Sequence, residues 1–366
     1  MSRPSLFEPF QIRDLTIRNR IWLSPMCQYS CADDGIPHDW HLVHLGARAQ
    51  GGFGLVMSEA VAVTERGRIT LRDAGLWNDT QAEAWAWIVE FVHGQGAAFG
   101  FQISHAGRKA STYRGFPGEP SGVLPVDGGA WLSQGPSTLP HEGRPAPEAM
   151  SQDDMAEVTE AFVAAARRAD RVGADVIEVH AAHGYLLHEF LSPIANDRTD
   201  SYGGSFENRV RYPLEVIEAV RVAWPQHKPM FVRVSATDWL PDGWDMEQTT
   251  RFAVLLRERG VDVVDVSSGS IADAPIPIAR GYQVPLASQV RNVAGVATTA
   301  VGLILEPKQA EHILTSGDAD AVFLARASLR EPAWPLRAAH ELGLTWADFP
   351  GPAQYSRANW ESVPAE

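Results

Sequence analysis

From residue 151 to residue 326 the chain repeats one unit: an amphipathic stretch, a break at Gly or Pro, then a short apolar run. The runs are Val176-Ile-Glu-Val-His180, Met230-Phe-Val-Arg-Val-Ser235, Val263-Val-Asp-Val-Ser267, Ala297-Thr-Thr-Ala-Val-Gly302 and Ala321-Val-Phe-Leu-Ala-Arg326. The stretches before them are 151–172, 206–223, 245–259, 284–294 and 306–316. Units of this length, with β-branched runs, fit parallel strands joined by crossover helices. The first half adds candidate strands at 21–26, 55–63 and 98–104, with helices predicted at 40–50 and 80–95. Eight strands alternating with helices predict an α/β fold, a closed (β/α)8 TIM barrel in preference to a doubly wound open sheet. A chain of 366 residues, 45% hydrophobic, suits one such domain over 1–366.

The alternation breaks at about 106–150, where Gly115, Pro117, Gly118, Pro120, Gly122, Pro125, Gly128, Gly129, Gly135, Pro136, Pro140, Gly143, Pro145 and Pro147 crowd together. So many breakers predict a long loop excursion holding a small hairpin. Because it leaves the third strand, it is expected over the carboxyl end of the barrel, where barrel active sites lie.

The fourth strand ends in Val176-Ile-Glu-Val-His-Ala-Ala-His-Gly-Tyr185, delivering His180, His183 and Tyr185 to that face. A metal pair is the rival reading, but no third ligand stands at a convincing spacing, so these residues are read as binding substrate. The other strand ends offer Ser24, Pro25, Met26 and Cys27, then Glu59 and Ala60, Gln102, Arg233, Ser267 and Ser268, Gly302, and Ala325 with Arg326. Gly302 and the 325–326 backbone stand where barrels cradle a phosphate on main-chain N–H groups. An arginine inside an apolar strand is costly to bury without an anion, so Arg233 asks for a negative partner such as a reduced flavin ring. Each has a plainer reading when taken alone: Gly302 as a turn glycine, Arg233 as half of a buried ion pair, Gln102 as a backbone partner.

A net charge of −14 without a basic cluster argues against nucleic acid or an anionic membrane as partner and leaves a small molecule. No signal-like amino terminus and no run of eighteen apolar residues are present, so a cytoplasmic location is expected. The two cysteines, Cys27 and Cys31, make no disulfide framework and no four-thiolate metal site.

Several motifs carry a resemblance: Asn19-Arg-Ile with Ser24-Pro-Met-Cys-Gln-Tyr29, Gln102-Ile-Ser-His-Ala-Gly-Arg-Lys109, His180-Ala-Ala-His-Gly-Tyr185, Tyr202-Gly-Gly-Ser-Phe-Glu-Asn-Arg209 and Gln354-Tyr-Ser-Arg357. Together they resemble the old yellow enzyme family of FMN-dependent ene-reductases, in its bacterial thermophilic-like (xenobiotic-reductase) branch, from Leu6 to Trp360. The resemblance implies non-covalent FMN, with Ser24, Pro25, Met26, Cys27, Ala60, Gln102 and Arg233 around its ring and Gly302, Ala325 and Arg326 at its phosphate. It implies NADPH as hydride donor and activated alkenes as substrates, such as unsaturated ketones, aldehydes, maleimides and nitroalkenes. In that scheme His180 and His183 hold the substrate oxygen, Tyr185 gives the proton, Tyr29 lines the pocket and Cys27 tunes the flavin. Arg357, in a terminal interface segment at 350–366, would reach a neighbouring subunit's site, so a homo-oligomer, dimer or tetramer, is expected. Two departures stand out: Ala325 replaces a usual glycine, and the 113–147 excursion is long. The rival functional classes are a metal-dependent barrel aldolase or hydrolase using His180 and His183, and a flavin-binding protein without turnover.

Overall fold

The computed structural model describes residues 3–360. Eight parallel strands close into a barrel: β1 Ile21–Leu23, β2 Leu55–Ala62, β3 Ala98–Ser104, β4 Val176–Ala181, β5 Met230–Ser235, β6 Val263–Ser267, β7 Ala297–Ala300 and β8 Ala321–Leu324. Each pairs with the next in sequence, and β8 returns to β1 through Val322 opposite Ile21. Helices Asp39–Gln50, Asp79–Gly94, Gln152–Arg171, Arg211–Ala223, Met246–Glu258, Val284–Ala294, Pro307–Thr315 and Trp334–Glu341 surround it. The predicted (β/α)8 architecture is therefore the one observed.

Local chemistry explains where these helices start and what they bury. Asn78 accepts from the Gln81 N–H at 2.9 Å, and Ser151 accepts from Asp154 at 3.1 Å, each satisfying an amide that the first turn leaves open. In Gln152–Arg171 the buried residues Met155, Val158, Phe162, Ala165, Ala166 and Ala169 recur at helical spacing, so one stripe faces the barrel. Strands enclosed by that helical ring and by the barrel interior are covered on both faces, which is why β4 and β5 are buried throughout.

Several details differ from expectation. The seventh and eighth strands end two residues early, at Ala300 and Leu324, and three further differences have a clear local cause or consequence. β1 stops at Leu23, although the Ser24 N–H still reaches Leu324 O at 3.1 Å; Pro25 then has no N–H with which to continue the ladder. The 206–223 helix is broken into Phe206–Arg209 and Arg211–Ala223, because Pro213 cannot donate to the Arg209 carbonyl. An antiparallel hairpin, Phe10–Ile12 with Leu15–Ile17, was not anticipated. Its Ile12 and Ile17 pack with Trp22, Phe231 and Phe323 across the amino end of the barrel, where Trp22 stacks on Phe231 at 5.7 Å. Each such buried aromatic contributes about 1.5–3 kcal/mol through burial, so that end is a plug and the carboxyl end is left for chemistry.

The excursion leaves β3 and rejoins the barrel at helix Gln152–Arg171. Backbone bonds from Tyr113 to Gly122 and from Leu124 to Ser111 form the stub of the expected hairpin, and a short parallel pair joins Gln134–Gly135 to Glu148–Ala149. Trp131 Nε1 donates to Arg66 O at 2.9 Å, and Arg198 Nη1 donates to Pro136 O at 2.8 Å. Those anchors lie in the loops after β2 and β4, so the excursion is tied over the carboxyl end.

Candidate active site

The end of β4 brings His180, His183 and Tyr185 together. The His180 ring lies 5.2 Å from that of His183 and 5.2 Å from that of Tyr185, both edge to face. The chain reaches this arrangement through a tight turn: His183 has φ +58 and Gly184 φ +70, the left-handed region that costs a non-glycine residue energy. Three bonds hold the turn. Ser235 Oγ accepts the His183 N–H at 2.9 Å, His188 Nδ1 accepts the Gly184 N–H at 2.9 Å, and Lys109 Nζ donates to His183 O at 2.9 Å. A Cβ at Gly184 would lie 2.3 Å from Ser270 O, so only glycine fits there.

Burial decides the protonation states. It holds His180 and His183 well below the ordinary imidazole value, and the nearby Arg233 guanidinium pushes the same way, so both rings are neutral at pH 7. Burial also raises Tyr185 far above the usual phenol range, with Cys27 and Asp73 adding to the effect, so its proton is retained. Tyr29 sits beside both Tyr185 and the Cys27 thiol, on a left-handed backbone of φ +49. Cys27 is raised well above its ordinary value by burial and by the carboxylates of Asp73 and Glu59, and remains a thiol.

Inside the barrel three of the residues predicted at the ring, Ser24, Gln102 and Arg233, are buried polar groups. Arg233 Nη1 reaches Ser24 Oγ at 3.4 Å, and Gln102 Nε2 donates to Glu178 Oε1 at 2.8 Å. Ala60 stands opposite Gln102 across a bulge in β2. Pro25 is buried and Met26 packs on the main core. The anion that Arg233 requires is already in the chain: Asp265 on β6 pairs with its Nε at 3.0 Å and accepts from Thr299 at 2.7 Å. The buried arginine therefore does not by itself demand a flavin. Glu178, also buried, is raised to about 8 by desolvation and by Asp265.

At the ends of β7 and β8, Gly302, Leu303, Ala325, Arg326, Tyr282 and Gln283 line a cavity of about 110 Å³. Gly302 has φ +112, and a Cβ there would meet Gln283 Nε2 at 2.8 Å. Ala325 has φ −104, outside the left-handed region, so alanine in place of glycine carries no such penalty.

The profile of the NADH:flavin oxidoreductase / NADH oxidase family matches residues 5–345. The chain belongs to this family. It is 46% identical over 354 residues to an NADPH dehydrogenase of Geobacillus thermodenitrificans, covering 96% of this chain and 98% of that protein. Among solved structures it is similar to morphinone reductase, with 28% identity, a TM-score of 0.79 and 94% and 91% of the two chains covered. It is also similar to the old yellow enzyme homologue of Zymomonas mobilis, with 26% identity, a TM-score of 0.76 and 93% and 94% covered. The resemblance to old yellow enzymes is thus borne out, and the protein is an FMN-dependent NAD(P)H oxidoreductase.

The residues present fit the family cofactor. Gly302, Ala325 and Arg326 offer a cradle of phosphate size, and Arg233, Gln102 and Ser24 offer polar groups for a ring deeper in the barrel. Among the described residues no group of three or more His, Cys, Asp or Glu side chains is arranged to hold a metal ion, and no helix is long and apolar enough to cross a membrane.

Some members of the site were not anticipated from sequence. His188 Nε2 pairs with Asp238 at 3.0 Å, fully buried, so its Nδ1 is free to accept from Gly184 and fix the histidine turn. Lys109 lies 5.2 Å over the Tyr185 ring and is pulled down to about 8 by burial and by Arg144. Arg357 stands apart from this group, on the exposed turn Ala353–Ala358. Nearby, Trp360 stacks on His340 of the same chain at 4.7 Å. Residues 361–366 of the expected interface segment lie outside the described residues.

Proposed function

We propose that the protein is an ene-reductase that reduces the C=C bond of activated alkenes: unsaturated ketones, aldehydes, maleimides and nitroalkenes. The observation that carries this reading is the buried group of two neutral imidazoles and a protonated phenol at one strand end. When bound, FMN would supply the hydride chemistry, with NADPH as its source and the alkene β-carbon as its destination. His180 and His183 hold the carbonyl or nitro oxygen and donate to the negative charge that develops on it. Fixed donors in a water-poor site stabilise such charge strongly, typically by about 100-fold in rate for each. Tyr185 then delivers its proton to the α-carbon, a basic enough acceptor for a phenol. Tyr29 closes the pocket wall and Cys27 sets the polarity beside the ring. Ser24, Pro25, Met26, Ala60, Gln102 and Arg233 would position the cofactor ring, while Gly302, Ala325 and Arg326 would hold its phosphate.

In this reading the terminal turn docks on a second copy of the chain in a dimer or tetramer, and Arg357 completes the partner's pocket. Tyr355 at 54% and Trp360 at 50% exposure are the residue types that anchor interfaces. A cytoplasmic location accords with the cofactor traffic.

The test is anaerobic turnover of 2-cyclohexenone. NADPH loss should match cyclohexanone formation one to one, and His183→Ala should slow it by about 100-fold. NADPH oxidation that requires oxygen and leaves the alkene intact would refute the reading.

A further inference from the structure

The excursion encloses a cavity of about 280 Å³ whose walls include Arg108, Arg144, Ala110, Leu124 and Trp131. It adjoins the alkene site, since Ala110 and Trp131 belong to one packed cluster with Cys27, Tyr29 and Tyr185. Two guanidinium groups line it, and their N–H groups go to neutral main-chain oxygens. Arg108 is 3% exposed and donates to Leu139 O at 3.2 Å and Ile271 O at 2.9 Å; its buried Nε–H has no acceptor. Arg144 donates through Nη1 to Lys109 O. The carboxyl beside them does not neutralise this charge: Glu189 accepts the Arg108 backbone N–H at 2.8 Å, and burial raises it to about 8, so it stays mainly protonated at pH 7. Nor does His141 counter it, being held near 4 and neutral. In a chain of net charge −14, this corner gathers Arg108, Arg144 and the adjacent Lys109. A buried cation whose hydrogen bonds go to main-chain oxygens, with no carboxylate in direct contact, gains most from an anionic ligand.

We propose that this cavity is an acid-binding annex of the alkene site, in which Arg108 and Arg144 take a carboxylate or phosphate carried at the far end of the molecule lying on the flavin. Trp131 and Leu124 supply the apolar wall for the spacer between that anion and the reacting end. The inference rests on the ene-reductase reading and deepens it: the favoured substrates are alkene acids, or the same contacts hold a phosphate of NADPH.

The test uses the FMN-loaded protein and calorimetric binding of two phenols of nearly the same shape, one anionic and one neutral, 4-hydroxyphenylacetate and 4-hydroxyphenylacetamide. The wild-type protein should prefer the acid. Arg144→Gln should lower that preference roughly tenfold, the scale of one partly buried charge-assisted bond, and Arg144→Lys should restore part of it. A parallel comparison of NADP+ with NAD+ locates the source of the anion: a loss of preference confined to the coenzyme pair assigns the annex to the coenzyme phosphate. Unchanged preference in both pairs would overturn the annex and leave the ene-reductase reading standing. Failure of the wild-type protein to bind either phenol would overturn both.

Discussion

Replacing Tyr185 by Phe separates the two halves of the proposed cycle. The Phe ring keeps the contact with His180 at 5.2 Å and lies under Lys109 Nζ at the same distance as before, so packing is conserved. The fold loses only a hydroxyl and its neighbourly interaction with Tyr29, a cost of about 1 kcal/mol. The chemical cost is larger. Losing a positioned general acid slows proton transfer by about 100- to 10,000-fold. Tyr29 remains beside the vacated position as a second protonated phenol, so a loss near 100-fold is expected. Anaerobic stopped-flow spectroscopy reads the halves separately. Bleaching of the flavin band by NADPH should proceed at close to the wild-type rate, while reoxidation by 2-cyclohexenone should show the full loss. A nitroalkene, whose reduced product is a stable anion, should be affected less. Equal slowing of both halves would refute the proton-donor role.

Cys27→Ala should shift the flavin reduction potential and the balance of the half-reactions while leaving the melting temperature nearly unchanged; an unaltered potential reduces Cys27 to packing. Mixing Tyr185→Phe subunits with Arg357→Ala subunits should raise turnover above that of either parent, because some hybrid sites hold both groups intact, and stable hybrids no more active than the parents would rule out a shared site. Stability should peak at about pH 6. As pH falls through 8 to 7, the folded state takes up protons on Glu178, Glu189 and Asp73, raised to about 8, 8 and 7, so stability rises. Below about 6.5 the unfolded chain also protonates His44, His105, His180 and His183, which burial keeps neutral in the fold; at about pH 6, once roughly three of these four are charged, they offset the three carboxyls, and below that stability falls. Melting temperatures of the apoprotein from pH 5 to 8.5 check this, and a steady rise to pH 8.5 would contradict it.

The barrel was legible because its units are long and their hydrophobic period changes from helix to strand at each break. The strand ends were legible for the same reason: once β4 is placed, His180, His183 and Tyr185 must emerge at its carboxyl end. The hairpin Phe10–Ile12 with Leu15–Ile17 escaped notice because strands of three residues are too short to show alternation. The partner of Arg233 needed the strand register, which sets Asp265 directly opposite it. Its signal was present, an acid in the apolar run Val263-Val-Asp-Val-Ser267, and matching the two buried charges would have found it. His188 and Asp238 left no comparable trace, since their contact joins the short helix Leu186–Leu191 to the loop after β5, whose path sequence spacing does not fix.

The histidine turn has a consequence for folding order. Its left-handed backbone at His183 is unfavourable in isolation and is secured by Ser235 from the next strand, Lys109 from the loop after β3 and His188 from the following helix. The clamps come from segments 74 and 52 residues away as well as from a local one, so no fragment of the chain can assemble the turn before β3, β4 and β5 have met. Catalytic competence is then among the last properties this polypeptide acquires as it folds, and recovery of ligand binding after dilution from denaturant should trail the recovery of helical circular dichroism.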